Sequence, residues 1–290
     1  RGKPMPGAEA HAPITWDVPG ALTGLYALGD GRLLAAAQGA LHLISDPLAG
    51  AQVLATHTGL PTDLHDVQVW DADGIARVVA IAATTDKGAH LSLLHVDEAS
   101  FRAVQGTLPL DEAIVSCALE QHGSLAVLTR RHVLHTVSWR VTDDRLVLDE
   151  PHAVPLRPLE EARLVYVSPS HLLMVVVVPG DAERVRASAL LWDTDLDAVL
   201  AVTEWSAQGA PQISTTRAMD GYVFVQLDPK ASRAGKCTVA ALPVSVPATG
   251  LLLHALGASS RTAPWLATPP PEPMGRAPDL MAALSSLPPD

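Results

Sequence analysis

The chain has 290 residues, with 20 Lys and Arg against 31 Asp and Glu for a net charge of −11. Its 48% hydrophobic content is ample for a core and excludes a disordered chain, and the negative balance excludes a generic nucleic-acid binder, which needs a basic footprint. With 24 Pro, 20 Gly and only 4% aromatic residues, the composition predicts many short elements separated by turns, in one large or two small domains.

The N-terminal Arg1-Gly2-Lys3-Pro4-Met5 lacks the apolar stretch of a secretory signal. It also lacks an initiator Met, as a piece of a longer protein would. Residues 1–20 are read as an extension or first strand. From Leu22 onward, short runs rich in Val and Leu are bounded by Gly, Pro, Asp and Ser. Leu33–Ala37 and Ala40–Ser45 flank Gln38-Gly39, the pattern of two strands joined by a tight turn. Arg77–Ala83 and His90–Val96 repeat it across Thr85-Asp86-Lys87-Gly88, and Ser124–Thr129 and Val133–Val141 across Arg130-Arg131. Leu172–Val178 and Ala187–Asp193 flank Pro179-Gly180-Asp181, and Tyr222–Leu227 pairs with Cys237–Leu242 across a longer loop. The continuous Val175-Val176-Val177-Val178 predicts a strand buried on both faces. No apolar run approaches the roughly 20 residues of a membrane-spanning helix.

Each pair is preceded by a further apolar run: Leu22–Leu28, Asp66–Trp70, Ile114–Leu119, Ala162–Val167 and Gln212–Arg217. These begin 44, 48, 48 and 50 residues apart. Fourth strands follow at Ala51–Thr56, Arg145–Leu148 and Val199–Trp205. Four short strands per unit of about 40–50 residues is the arithmetic of a β-propeller blade. A sandwich or two smaller β domains would account for the strands but not for the spacing. Trp192-Asp193 closes the third strand of its unit, where WD repeats carry such a pair. Val69-Trp70-Asp71 stands at the end of a first strand, where the pair has no such meaning. The expected fold is all-β, a degenerate WD40-like β-propeller of about five to seven blades over residues 21–262. Residues 263–290 read as a Pro-rich linker or docking tail, in which Asp279–Leu284 could form a short helix.

Cys117 and Cys237 are too few for a disulfide framework; a single bridge is one reading, but they read better as buried small hydrophobes in a reducing compartment, which makes a soluble intracellular protein the expectation. His132 and His135 are three apart in an expected strand, which puts them on opposite faces. Asp63, His65 and Asp66 form the densest acid and imidazole cluster, read as a loop entering the second unit. That cluster is the best enzymatic candidate; the simpler reading is a turn whose carboxylates cap backbone amides. Asp143-Asp144 and Glu160-Glu161 read as polar hairpin and loop residues, since adjacent acids point apart. Arg130-Arg131-His132 and Lys230, Arg233 and Lys236 are the local basic clusters; the latter could touch RNA phosphates in an assembly, and the simpler reading is a solvated loop. No Gly-x-Ser-x-Gly, phosphate loop, dinucleotide fingerprint or His-Glu-x-x-His occurs. Hence no catalytic, cofactor-binding or metal residue is assigned, and no cofactor is expected.

Ala187–Asp193, Leu200–Trp205, Gly221–Val225 and Cys237–Val244 together resemble the last part of the propeller in UTP-A (t-UTP) subunits of the small-subunit processome, of the nucleolar-protein-eleven and Utp-eight type. There, too, a strand ending in Trp and a polar residue precedes a final hairpin, and Leu251–Gly257 is similar to the short apolar element that follows it. The resemblance covers about 80 residues. It implies a non-catalytic scaffold in the nucleolus or nucleus, acting in pre-rRNA transcription and processing through protein subunits of a multiprotein complex. Any pre-rRNA contact would be local or indirect, and no membrane partner is implied. The alternatives are a cytoplasmic location, a propeller hydrolase using loop carboxylates and His, and a trafficking or coat-complex propeller.

Overall fold

A computed structural model describes residues 21–28, 30–37, 39–47, 50–61, 63–72, 76–86, 88–178, 185–207, 214–215, 222–226, 239–243 and 261–267. These fall into two compact units, Arg1–Arg130 with Thr136–His152, and Arg131–His135 with Ala153–Asp290. Among the described residues no helix is long and apolar enough to cross a membrane.

The first unit holds three antiparallel sheets, each a meander in chain order. The first is β1 (Leu22–Ala27), β2 (Leu33–Ala37), β3 (Ala40–Ile44) and β4 (Val53–Thr58). The second is β5 (Asp63–Ala72), β6 (Ala76–Thr85), β7 (Gly88–Val96) and β8 (Phe101–Pro109). The third is β9 (Ile114–Glu120), β10 (Ser124–Thr129), β11 (Val133–Thr142) and β12 (Arg145–Leu148). In the second unit β13 (His152–Pro155) pairs with β11, which begins in that unit. A fourth meander follows, β14 (Glu161–Ser168), β15 (His171–Val178), β16 (Val185–Asp193) and β17 (Ala198–Ala207). Strands β18 (Ser214–Thr215), β19 (Tyr222–Gln226) and β20 (Val239–Pro243) form a three-stranded sheet. The fold is all-β, built from the four-stranded meander blades of a degenerate WD40-like β-propeller.

The central strands explain why the apolar runs are continuous. In β6, Val79 and Ile81 turn to the core shared with the first blade, whereas Ala80 and Ala82 turn to the core shared with the third. In β7, Leu94 and Val96 take the first side and Leu91 and Leu93 the second. A strand covered on both faces has no position for a polar stripe. Outer strands do alternate: β8 is exposed at Arg102, Ala103, Gln105, Thr107 and Pro109 and buried at Leu108. Cys117 lies in the second of these cores, and burial first, then the charge of Asp66, pushes its thiol up. It is a small apolar residue here, with no accessible thiolate.

Turn chemistry sets strand ends. Thr142 pairs with Arg145, so the loop is Asp143-Asp144 alone, and both residues have positive φ (51° and 56°). That is the geometry of a two-residue type I′ hairpin turn. Thr85 pairs with Gly88, so the four-residue turn expected there is only two residues long. At Gly123 (φ 118°) an added Cβ would stand 2.7 Å from the Trp139 carbonyl oxygen, so this turn requires glycine.

Several expectations are corrected. Asp63, His65 and Asp66 belong to strand β5, not to a loop. Asp63 pairs with Thr84, Leu64 with Ala83 and Asp66 with Ala82, which leaves His65 as the extra residue of a bulge. His132 (φ 61°) lies in the turn before β11, and only His135 is in the strand. Glu161 begins β14. At the start of the expected tail, Ala263–Trp265 forms a 3-10 turn, and Thr262 and Trp265 are buried. Lys230, Arg233, Lys236, Cys237, Leu251–Gly257 and Asp279–Leu284 lie outside the described residues.

Trp192 closes β16 as the Trp-Asp pair implied, and it is completely buried. It stands opposite Leu172 of β15 and Val199 of β17. Trp192→Ala is expected to cost about 3–5 kcal/mol through the cavity it leaves. Thermal or urea unfolding measures this; a shift near zero would contradict the placement of Trp192 in the blade interior.

Candidate functional site

The β5 bulge determines what the acidic cluster can do. After His65, the residues Asp66, Gln68 and Trp70 share the face of β5 directed at the third blade. Asp66 Oδ2 accepts the Leu119 N–H of β9 at 2.9 Å, and Gln68 Nε2 donates to both carboxylate oxygens at 3.1 Å. The carboxylate therefore bridges the entry strands of two adjacent blades. Its charge also raises Tyr26 on β1, after the larger effect of burial, so it acts at the inner strands of all three blades of this unit. Hydrogen bonds to an ionised carboxylate are about twice as strong as neutral ones, which suits a cross-blade clip.

A second clip lies between the first two blades. Arg32, after β1, is paired with Asp30 at 2.6 Å and donates through Nη1 to the carbonyls of Asp97 (2.7 Å) and Glu98 (2.9 Å) in the β7–β8 turn. The planar guanidinium suits this because it presents several donors in fixed directions. His57 of β4 meets Phe101 of β8 edge to face, 6.1 Å between centroids, and burial lowers the pKa of this imidazole. His90, also lowered by burial, is held by Ser92 at 3.0 Å.

In the second unit, sequence reasoning missed one constellation. Ser168 Oγ lies 2.6 Å from His171 Nδ1, and His171 Nε2 lies 3.5 Å from Asp193 Oδ2. The signal was present, because His171 and Asp193 are direct cross-strand partners once β15 and β16 are placed in register. The residue types are those of acyl-transfer enzymes, but the geometry is that of a hairpin end. Nε2 makes no hydrogen bond to the carboxylate, whose Oδ1 accepts the N–H groups of Asp195 (2.9 Å) and Leu196 (3.0 Å). Thr194 closes the end of the blade by donating its N–H (2.8 Å) and hydroxyl (3.1 Å) to the Ser170 carbonyl. A triad needs its carboxylate bonded to the imidazole it orients, and this one is bonded to a turn.

The other candidates are not brought together. His132 Nδ1 accepts the Leu159 N–H at 3.3 Å, and its carbonyl accepts the Leu156 N–H at 2.7 Å. Asp144 stands 3.7 Å from Arg102 at the surface, a contact of small energy. Arg130 and Arg131 are exposed in the β10–β11 turn. Among the described residues, no group of three or more His, Cys, Asp or Glu could hold a metal ion.

No family model matches the chain, and no curated protein is similar to it. Among solved structures, the WD40 domain of SCAP from fission yeast is 8% identical at a TM-score of 0.42, covering 72% of this chain and 67% of that one. The Cps50 (Swd1) β-propeller domain of Myceliophteria thermophila is 14% identical at 0.39, covering 77% and 74%. The AfRom2 CNH domain is 10% identical at 0.41, covering 78% and 81%.

Asp66→Ala is expected to cost about 1–3 kcal/mol, because the Leu119 N–H loses its acceptor. Asp66→Asn, which keeps one acceptor oxygen but loses the charge and sets an amide NH2 against the Gln68 donor, is expected to recover part of that. Urea midpoints of the two variants check this; equal losses would contradict it and show that a neutral acceptor does not replace the carboxylate at Leu119.

Proposed function

We propose that this chain is a non-catalytic β-propeller scaffold for protein–protein interaction within a multiprotein complex. The observation that carries this reading is the use made of its polar side chains. Asp66 binds a backbone amide of the next blade, Arg32 holds a neighbouring turn, and Asp193 caps its own hairpin. Each strengthens a seam or a strand end, and none is left facing a reacting atom. Stacked meander blades make a rigid support for turns and edges, which is what a multi-partner platform needs. The hydrolase alternative loses its best cluster, since Asp66 is committed to Leu119 and Gln68.

The finer reading is a role in nucleolar small-subunit ribosome assembly. It is supported by the resemblance of Ala187–Asp193 and the strands that follow it to UTP-A propellers. Trp192-Asp193 at the end of β16 agrees with the strand boundary that the resemblance uses. The net charge of −11 favours protein partners, with any pre-rRNA contact local or indirect.

Affinity purification of the tagged protein from its source cells, read by mass spectrometry and RNA analysis, tests both levels. A discrete set of protein subunits together with U3 RNA and processome components is expected. Vesicle-coat or nuclear-pore components would overturn the ribosome-assembly reading, and recovery of no stable protein partner would overturn the scaffold itself.

A further inference from the structure

The bulge beside the Trp-Asp pair frees a backbone site. Leu191 pairs with Ala201 and Trp192 with Val199, so Leu200 is an extra residue on β17. Both backbone groups of Val199 then go to residues more than sixty positions later. Its N–H donates to Thr262 Oγ1 at 2.8 Å, and its carbonyl accepts from Arg261 Nε at 3.2 Å. Thr262 stands at the N-cap of the 3-10 turn without capping it; its hydroxyl is used across the chain instead.

The other end of the same segment is held in strand fashion. Leu156 and Leu266 form an antiparallel bridge, with the Arg157 N–H donating to the Trp265 carbonyl (2.9 Å) and the Ala267 N–H to the Pro155 carbonyl (3.0 Å). Between these ends the Trp265 ring is 4% exposed, with the Arg157 guanidinium 4.0 Å over its centroid. Burial lowers the pKa of Arg157, opposed by Glu204, as expected of a guanidinium drawn partly out of water to cover an indole.

Seven residues with one buried aromatic anchor, one hydroxyl acceptor and paired backbone at one end is the arrangement by which protein grooves hold peptides. We propose that Arg261–Ala267 is a releasable strap occupying, in cis, a peptide-docking groove of the second unit, and that a peptide able to form the same turn, with a Thr hydroxyl and an indole three residues later, can take its place. The groove consists of the freed backbone of Val199, the edge formed by Pro155–Arg157 and the seat of Trp265 under Arg157. Release is local because the strap has one buried large side chain, whereas β15 and β16 are buried along most of their length. This goes beyond the scaffold reading and does not depend on which complex the protein joins.

Hydrogen exchange on the full-length protein tests it, because three amides report the strap alone: Val199, Arg157 and Ala267. They are expected to exchange together and faster than amides of β15 and β16. Trp265→Ala should accelerate them about a hundredfold or more, as loss of a buried indole together with its cation–π contact predicts, without affecting β15 and β16. A heptapeptide with the sequence of Arg261–Ala267, at about 1 mM to match a tethered segment, should then slow Val199 and Arg157 again but not Ala267. The same peptide with Ala for Trp should not. Exchange of the three amides only together with β15 and β16, or no protection from the wild-type peptide, would overturn the proposal. Thr262→Val keeps the Trp265 seat filled and covers the case in which Trp265→Ala does not fold: faster exchange at Val199 is expected, and an unchanged rate would also overturn it.

Discussion

A four-stranded meander has two apolar faces and can cover neither by itself. Everything in the first unit follows from that constraint. The second blade is buried on both sides, and its central strand β6 divides its side chains by size: Val79 and Ile81 toward the first blade, Ala80 and Ala82 toward the third. The small side lets the larger Leu119, Leu125 and Trp139 of the third blade approach, so the two seams interlock through different volumes. Area burial is non-directional and does not set register along a seam. The polar clips do: Arg32 holds the β7–β8 turn of the next blade, and Asp66 holds the Leu119 amide.

This division of labour gives the residues that look most chemical a structural use. A carboxylate on an entry strand is worth keeping when it meets a backbone amide on the edge strand of the next blade, as Asp66 meets Leu119 on β9. The bulge at His65 turns Asp66 toward that amide. The same economy operates in the second unit, where Asp193 caps a turn while Trp192 fills the blade. The register shift at Trp192 also leaves Val199 to be satisfied from residues 261–262.

Period and strand pairing were legible because central strands buried on two faces are continuous apolar runs, and continuity is a strong signal. Entry strands expected at 22, 66, 114, 162 and 212 begin at Leu22, Asp63, Ile114, Glu161 and Ser214. The β8 strand was not legible: half-buried, with Gly106 and Pro109 inside it, Phe101–Pro109 reads locally as loop. The Asp63, His65 and Asp66 cluster was misplaced because polar residues at the head of a strand look like a turn, and nothing local distinguishes a bulge. Packing of Arg261–Ala267 was hidden by Pro264 and the proline-rich sequence that follows. Its partners at positions 155–157 and 199 could be found only from the fold. The Ser168, His171 and Asp193 contact follows from the β15–β16 register, whereas its open geometry is set by the turn amides that hold Asp193.

If shared seams are what make the first unit fold, its three blades must open as one. Native-state hydrogen exchange in low denaturant reads this directly at Leu43, Ile81 and Val127, each at the centre of a different blade. The predicted result is a single opening free energy for the three amides, falling together as denaturant rises. A separate, lower value for one blade, with the other two retaining full protection, would contradict the claim that each blade depends on its neighbours for its core.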